Sequence, residues 1–186
     1  MVCFCDIPLS KISNHTNCYG SYGIGLSKSW GKSNGLNPVL YLNDRSPLKR
    51  CLQELFKHAD WSYEGVGPEA YVKAIELAAY VKPYEGIALR DGVETNKKFY
   101  DESEWRYVPH NLYKTTYHFD DDKRNNSRVH ALNFSEADIE YIFVPSRRDV
   151  TELIAHLRVA FADLCPDVMA SLFTRIITLE ELGDDI

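Results

Sequence analysis

Apolar positions along the chain switch repeatedly between a period of two and a period near 3.6, the signature of interleaved strands and helices. Met1 to Ile7 is a nearly continuous apolar run closed by Pro8 and reads as a strand. Pro8 to Cys18, with Leu9 and Ile12 three apart, predicts a short helix. Ser21 to Ser27 alternates, placing Tyr22, Ile24 and Leu26 on one strand face, and Ser29 to Ser33 predicts a single helical turn. Pro38 to Leu42 predicts a further strand, proline being tolerated at its first position.

Ser46-Pro47 is a helix opening, a capping hydroxyl followed by proline at the first helical position. Leu48, Cys51, Leu52, Leu55 and Phe56 then recur at helical spacing to about Ala59. After the break at Gly65-Val66-Gly67-Pro68, a second helix carries Tyr71, Ile75, Ala78 and Ala79 and is stopped by Pro83. Ile87 to Arg90 is a short apolar stretch of no assigned type, and a strand is expected from Glu104 within Phe99 to Pro109. Residues 120–128 read as a solvated, mobile loop. Asp138 to Val144 predicts a strand, Asp149 to Asp163 a helix whose apolar side includes Val159-Ala160-Phe161, and Val168 to Phe173 another helix. Arg175 to Thr178 then reads as a strand and Leu179 to Leu182 as a last helical turn. The expected class is α+β, a mixed central sheet flanked by helices, in a single domain over residues 1–186.

Composition adds bounds to this picture. An apolar fraction of 45% with 26% charged residues is that of a globular domain, and no apolar stretch approaches the ~20 residues of a membrane-spanning helix. A formal charge of −6, from 21 basic and 27 acidic residues, argues against general nucleic-acid binding. Cys3, Cys5, Cys18, Cys51 and Cys165 are odd in number and widely spread, so a secreted disulfide framework is not expected and a cytoplasmic address is. Cys3 and Cys5 share a strand face, and His15 and Cys18 lie one helical turn apart. Neither pair has zinc-knuckle spacing; the cysteines are expected to be small core residues and no metal site is assigned.

No phosphate-binding loop, nucleophile elbow or zinc-protease motif occurs, and the glycines of Gly20-Ser21-Tyr22-Gly23-Ile24-Gly25 do not have dinucleotide-fingerprint spacing. They read better as places where bulky neighbours lie against a crowded strand. The richest polar segment is Tyr100-Asp101-Glu102-Ser103-Glu104-Trp105-Arg106-Tyr107. In a strand, Glu102, Glu104 and Arg106 would share one face and Trp105 would enter the core. Two carboxylates so placed suit general-base work or steering of a hydroxyl-rich ligand. The same pattern equally serves charge neutralisation within a sheet, with Arg106 paired to its acidic neighbours on a buried, cleft-lining face.

Several longer runs carry a family resemblance. Phe4-Cys5-Asp6-Ile7-Pro8-Leu9, then His15, then Tyr19 through Gly31 with Tyr22-Gly23-Ile24-Gly25-Leu26 inside it, resemble the opening of the AbiGi abortive-infection family. Asn37-Pro38-Val39-Leu40-Tyr41, Lys97-Lys98-Phe99-Tyr100-Asp101-Glu102-Ser103-Glu104-Trp105-Arg106-Tyr107-Val108-Pro109 and Ile139-Glu140-Tyr141-Ile142-Phe143-Val144-Pro145 continue that resemblance. It implies a bacterial phage-defence role as the antitoxin of a two-gene pair, a protein partner encoded nearby, no cofactor, and family members that continue upstream of the position of Met1. The layout of the Cys-Phe opening, the Tyr-Gly-Ile-Gly strand and the Glu-x-Glu-Trp-Arg strand is more distantly similar to ADP-ribosyltransferases. That likeness implies the alternative of an NAD-using enzyme, with Glu104 or Glu102 as catalytic carboxylate and His15, Tyr22 and Arg106 as ligand-binding residues. The arginine or histidine strand usual in those enzymes is not identifiable here.

Overall fold

The computed structural model describes residues 1–58, 69–90, 92–109 and 131–184. These form two compact units that alternate along the chain: Met1–Asp6 with Gly35–Ala131, and Ile7–Asn34 with Leu132–Ile186. Strands and helices mix in both, giving the expected α+β class. The loop expected at residues 120–128 lies outside the described residues.

In the first unit the sheet is β1 (Val2–Cys5), β8 (Glu104–Tyr107) and β3 (Asn37–Pro38), with β8 in the middle and both neighbours antiparallel to it. The register sets Cys3 opposite Arg106 and Cys5 opposite Glu104, so all four share one face, while Phe4 and Trp105 share the other. From β3 the chain runs through Val39, whose amide donates to the Glu104 carbonyl (3.0 Å), into β4 (Leu40–Leu42). There it pairs in parallel with β5 (Val81–Pro83). Two helices lie between these strands in sequence. α3 (Pro47–His58) starts as its sequence predicts, the Ser46 hydroxyl accepting from the Leu48 amide at 3.2 Å. α4 (Glu69–Ala78) buries Ala74 against Phe56, Val72 and Ile75. It ends before Pro83, and Val81–Pro83 is a strand.

The hairpin β6 (Glu85–Arg90) and β7 (Val93–Lys98) follows, turning at Gly92 with φ 81°. The ambiguous Ile87–Arg90 stretch lies within β6. Its polar partner V-E-T-N-K-K offers no apolar alternation to read.

The second unit is built on β2 (Gly23–Leu26), β9 (Ile139–Val144) and β10 (Ile176–Thr178), with β9 central, antiparallel to β2 and parallel to β10. With it belong α1 (Ile12–Tyr19), α2 (Lys28–Ser33), α5 (Arg147–Ala160), α6 (Pro166–Phe173) and α7 (Leu179–Asp184). Caps written in the sequence fix these helices: Ser27 accepts from the Trp30 amide, Ser146 and Asp149 form a capping box, and Pro166 opens α6. Gly23 and Gly25 lie beneath the Phe143 and Tyr141 rings of β9, where added side chains would collide. This puts rings on the glycine face of β2, as expected of a crowded strand, and leaves Tyr22 and Ile24 exposed on the other. Val159 and Phe161 are likewise exposed; α5 contains no fully buried residue and packs through half-buried Leu153, Ile154 and Leu157. No helix among the described residues is long and apolar enough to cross a membrane.

The ring-over-glycine packing is testable by denaturant unfolding. Gly23→Ala should cost about 1–3 kcal/mol, the range for overpacking, because Phe143 is buried and cannot swing aside. Gly25→Ala should cost less, since half-buried Tyr141 has room to yield. Equal, negligible shifts for both would refute this account.

Candidate functional site

The polar segment singled out in the sequence becomes a buried ion cluster in the first unit. Glu104 and Arg106 on β8 are 3% and 9% exposed, more deeply buried than Trp105 between them. The polar face of this strand is therefore the covered one, and Trp105, expected in the core, is only half-buried. Glu102 corrects a second expectation. It is not part of the strand but ends a 3-10 turn, Phe99–Glu102, and Ser103 follows in the left-handed region at φ 44°. That reversal brings Glu102 back so that its carboxylate, 4% exposed as a residue, meets the same lysine as Glu104.

Lys82 of β5 is this shared lysine. Its Nζ donates to Oε2 of Glu102 and, at 2.5 Å, to Oε2 of Glu104. The other oxygen of each carboxylate is also occupied: Oε1 of Glu102 by Lys97 of β7 at 2.6 Å, and Oε1 of Glu104 by Arg106 Nε at 2.6 Å. Arg106 extends the network by donating to the carbonyls of Ala79 at 2.5 Å and Val81 at 3.3 Å. The backbone of Glu104 is tied in as well, its amide donating to the Tyr41 hydroxyl at 2.8 Å. Tyr100 packs edge-on to Tyr41 and stacks on Tyr84, and Lys82 lies 5.1 Å from the Phe99 ring centre.

The electrostatics follow from this geometry. Burial by itself would raise the Glu104 pKa, but hydrogen bonds from Arg106, the Cys3 thiol and Lys82, together with the Lys82 charge, bring it down to about 2. Burial lowers Lys82 and Arg106, and the carboxylates reverse this, holding both above their ordinary values. Cys3 and Cys5 border the cluster on β1. Desolvation of its sulfur, then the charges of Glu102 and Glu104, push the Cys5 thiol up to about 12, and Cys3 is raised for similar reasons. Thiols so shifted carry little thiolate near neutral pH and are poor nucleophiles. As residues the five cysteines are all exposed, so they are not core fillers. β1 is an edge strand, and the other three lie on exposed helix faces and a helix cap.

The remaining sequence candidates belong to the second unit. His15 lies on α1 with its ring 4.6 Å from that of Tyr19, one turn on. Tyr22 is exposed, and its hydroxyl donates to Asp149 Oδ1 at 2.6 Å, joining the chain before β2 to the capping box of α5. That bond raises the Tyr22 pKa, while bonds from Ser146 and Tyr22 lower that of Asp149. The structure thus gathers Glu102, Glu104 and Arg106 in one cluster and gives His15 and Tyr22 local partners elsewhere. Lys82 and Lys97 were missed in the sequence. Their only signal was the need of two buried carboxylates for more than one cation. Among the described residues no group of three or more His, Cys, Asp or Glu side chains is placed to hold a metal ion.

Comparison with known proteins gives a family. A family model described as "Putative abortive phage resistance protein AbiGi, antitoxin" matches residues 1–145. A protein of Lactococcus lactis subsp. cremoris, named abortive phage resistance protein AbiGi, is 33% identical over 192 aligned residues, covering 85% of this chain and 76% of the relative. Neither match relates the chain to ADP-ribosyltransferases. No solved structure matches.

Two measurements test the cluster. Glu104→Ala leaves Lys82 and Arg106 short of a buried counter-charge and should cost about 3–5 kcal/mol. Arg147→Ala, which removes an exposed pair with Glu181, should cost no more than about 1 kcal/mol. Denaturant midpoints decide between these and two equally small shifts. The pH dependence has a fixed sign: the Glu104 pKa is lower folded (about 2) than its ordinary value of 4.5, so unfolding takes up a proton in that interval. Its stabilisation is complete above about 4.5 and is lost as pH falls towards 2. Glu104→Gln should flatten that limb of the stability curve.

Proposed function

This chain belongs to the AbiGi family of abortive phage resistance proteins, and we propose that it is the antitoxin partner of a toxin in an abortive-infection pair. The observation that carries this reading is the family match over residues 1–145, joined by a relative of the same name aligned along 85% of the chain. The protein acts by contact with a toxin encoded nearby, in the cytoplasm, without a cofactor. Under this reading the Glu102–Glu104–Lys82–Arg106 cluster holds the first unit in shape, and Tyr22 serves as an anchor for α5.

The alternative, an NAD-using transferase with Glu102 or Glu104 as catalytic carboxylate and His15, Tyr22 and Arg106 as ligand contacts, needs a carboxylate that can reach a ribose hydroxyl. Each oxygen of both glutamates is already engaged by a lysine or arginine, which speaks against that chemistry. A carboxyl titrating near 2 is also a weak base at neutral pH.

Co-expression with the neighbouring toxin gene tests the proposal. This chain should relieve toxin-induced growth arrest and co-purify with the toxin. Arrest that persists at full expression, with no association, would sink it. Calorimetry of the chain with NAD should give no binding heat; heat that Glu104→Gln abolishes would instead revive the transferase.

A further inference from the structure

We infer that the edge of β7 left open among the described residues pairs with the same edge of a second copy of this chain, joining two hairpins into a four-stranded antiparallel sheet about a two-fold axis. The inference is independent of the antitoxin reading. Among the described residues, β6 and β7 pair only with each other. A two-stranded ribbon on its own is marginal in water, and an open edge with unpaired amides and carbonyls is a template for another strand. β7 runs regularly from Val93 to Lys98 without proline or bulge, so its charged side chains, Glu94, Lys97 and Lys98, are what guards the edge. Apart from Lys97 its residues are exposed, and Ile87 and Leu89 on β6 are 64% and 73% exposed.

What selects a second copy is the charge order of β7. Glu94, Asn96 and Lys98 alternate onto one face, the face that also carries Ile87 and Leu89 through the pairings Ile87 with Asn96 and Leu89 with Glu94. An antiparallel strand paired with itself about an axis at Asn96 sets Glu94 opposite Lys98 of the other copy, and Lys98 opposite its Glu94. Asn96 meets Asn96, whose amides can both donate and accept. The interface is therefore isologous and neutral at every charged position on that face. Shifting the axis by one residue, to Thr95 or Lys97, removes both opposite-charge pairs. Lys97 points to the other face, where Glu102 holds it, so it does not disturb this register.

Sedimentation of the full chain across a concentration series tests the proposal. A concentration-dependent dimer is expected. Glu94→Lys, with unchanged circular dichroism, should abolish the dimer at concentrations where the natural chain forms it, because it places like charges across both positions. Asn96→Cys should yield a disulfide-linked dimer on mild oxidation, above the background of the natural chain, because the two substituted residues face each other at the axis. A natural chain that stays monomeric, a dimer indifferent to Glu94→Lys, or an Asn96→Cys chain no more cross-linked than the natural one would each overturn the proposal.

Discussion

The first unit depends on one lysine. Glu102 and Glu104 are two buried carboxylates two residues apart, an arrangement that would expel itself into water or force one group to take up a proton if left alone. Lys82, reaching from β5 to both, makes it tolerable, and Lys97 and Arg106 complete the compensation. Three cations against two carboxylates leave a surplus positive charge. The carbonyls of Ala79 and Val81 help to solvate it through Arg106. Through these contacts a strand beside the sheet, a hairpin, a 3-10 turn and the central strand are fixed to one another, and no apolar contact would impose so definite a geometry. A buried ion network stabilises little compared with an apolar core of the same volume. What it does impose is register: slip β8 by one residue and the charges face the side that now carries Trp105.

The second unit has a different cohesion. Its central strand presents Phe143 and Tyr141 to two glycines, so ring and backbone lie in contact without an intervening side chain. Arg175 donates to the carbonyls of Glu136 and Ile139 and to the Ser171 hydroxyl. Helix ends are closed by hydroxyl and carboxylate caps, and the Tyr22–Asp149 bond fastens the chain before β2 to the start of α5. The Tyr22–Asp149 bond is exposed and the Ser146 and Arg175 bonds are part-buried, and individually each contributes little.

The legible parts of the fold were those whose signals are local. Ser46-Pro47, Ser146 with Asp149, and Pro166 mark helix starts in any context, and Ile139–Val144 reads as a strand because its apolar run is bounded by Asp138 and Pro145. The glycines at 23 and 25 were rightly read as sites of close approach by bulky neighbours. What stayed hidden depended on partners remote in sequence. β7 looks like a loop because both its faces are polar, and β5 is too short to show a period. The candidate site was half legible. The burial of Glu104 and Arg106 on a central strand follows from their alternation, but the role of Lys82, some twenty residues earlier, does not. Glu102 was misplaced because nothing in the sequence announces a left-handed Ser103; serine is not the residue that such a φ favours.

That combination bears on how a cluster of perturbed ionisable groups should be weighed. Burial, a strongly lowered carboxyl pKa and neighbouring thiols are features that catalytic sites share with structural ion networks. The distinction lies in what the shifts favour. A general base is tuned towards neutrality so that it can exchange protons, and a nucleophilic cysteine is tuned down so that its thiolate is populated. Here Glu104 is driven to about 2 and Cys5 to about 12, each away from neutrality and deeper into one protonation state. The hydrogen bonds and charges around Glu104 outweigh its burial and hold it ionised, so it is not tuned to exchange protons near neutral pH. Groups arranged in this way fix a shape: they tie β5, β7 and β8 to one another in place of exchanging protons.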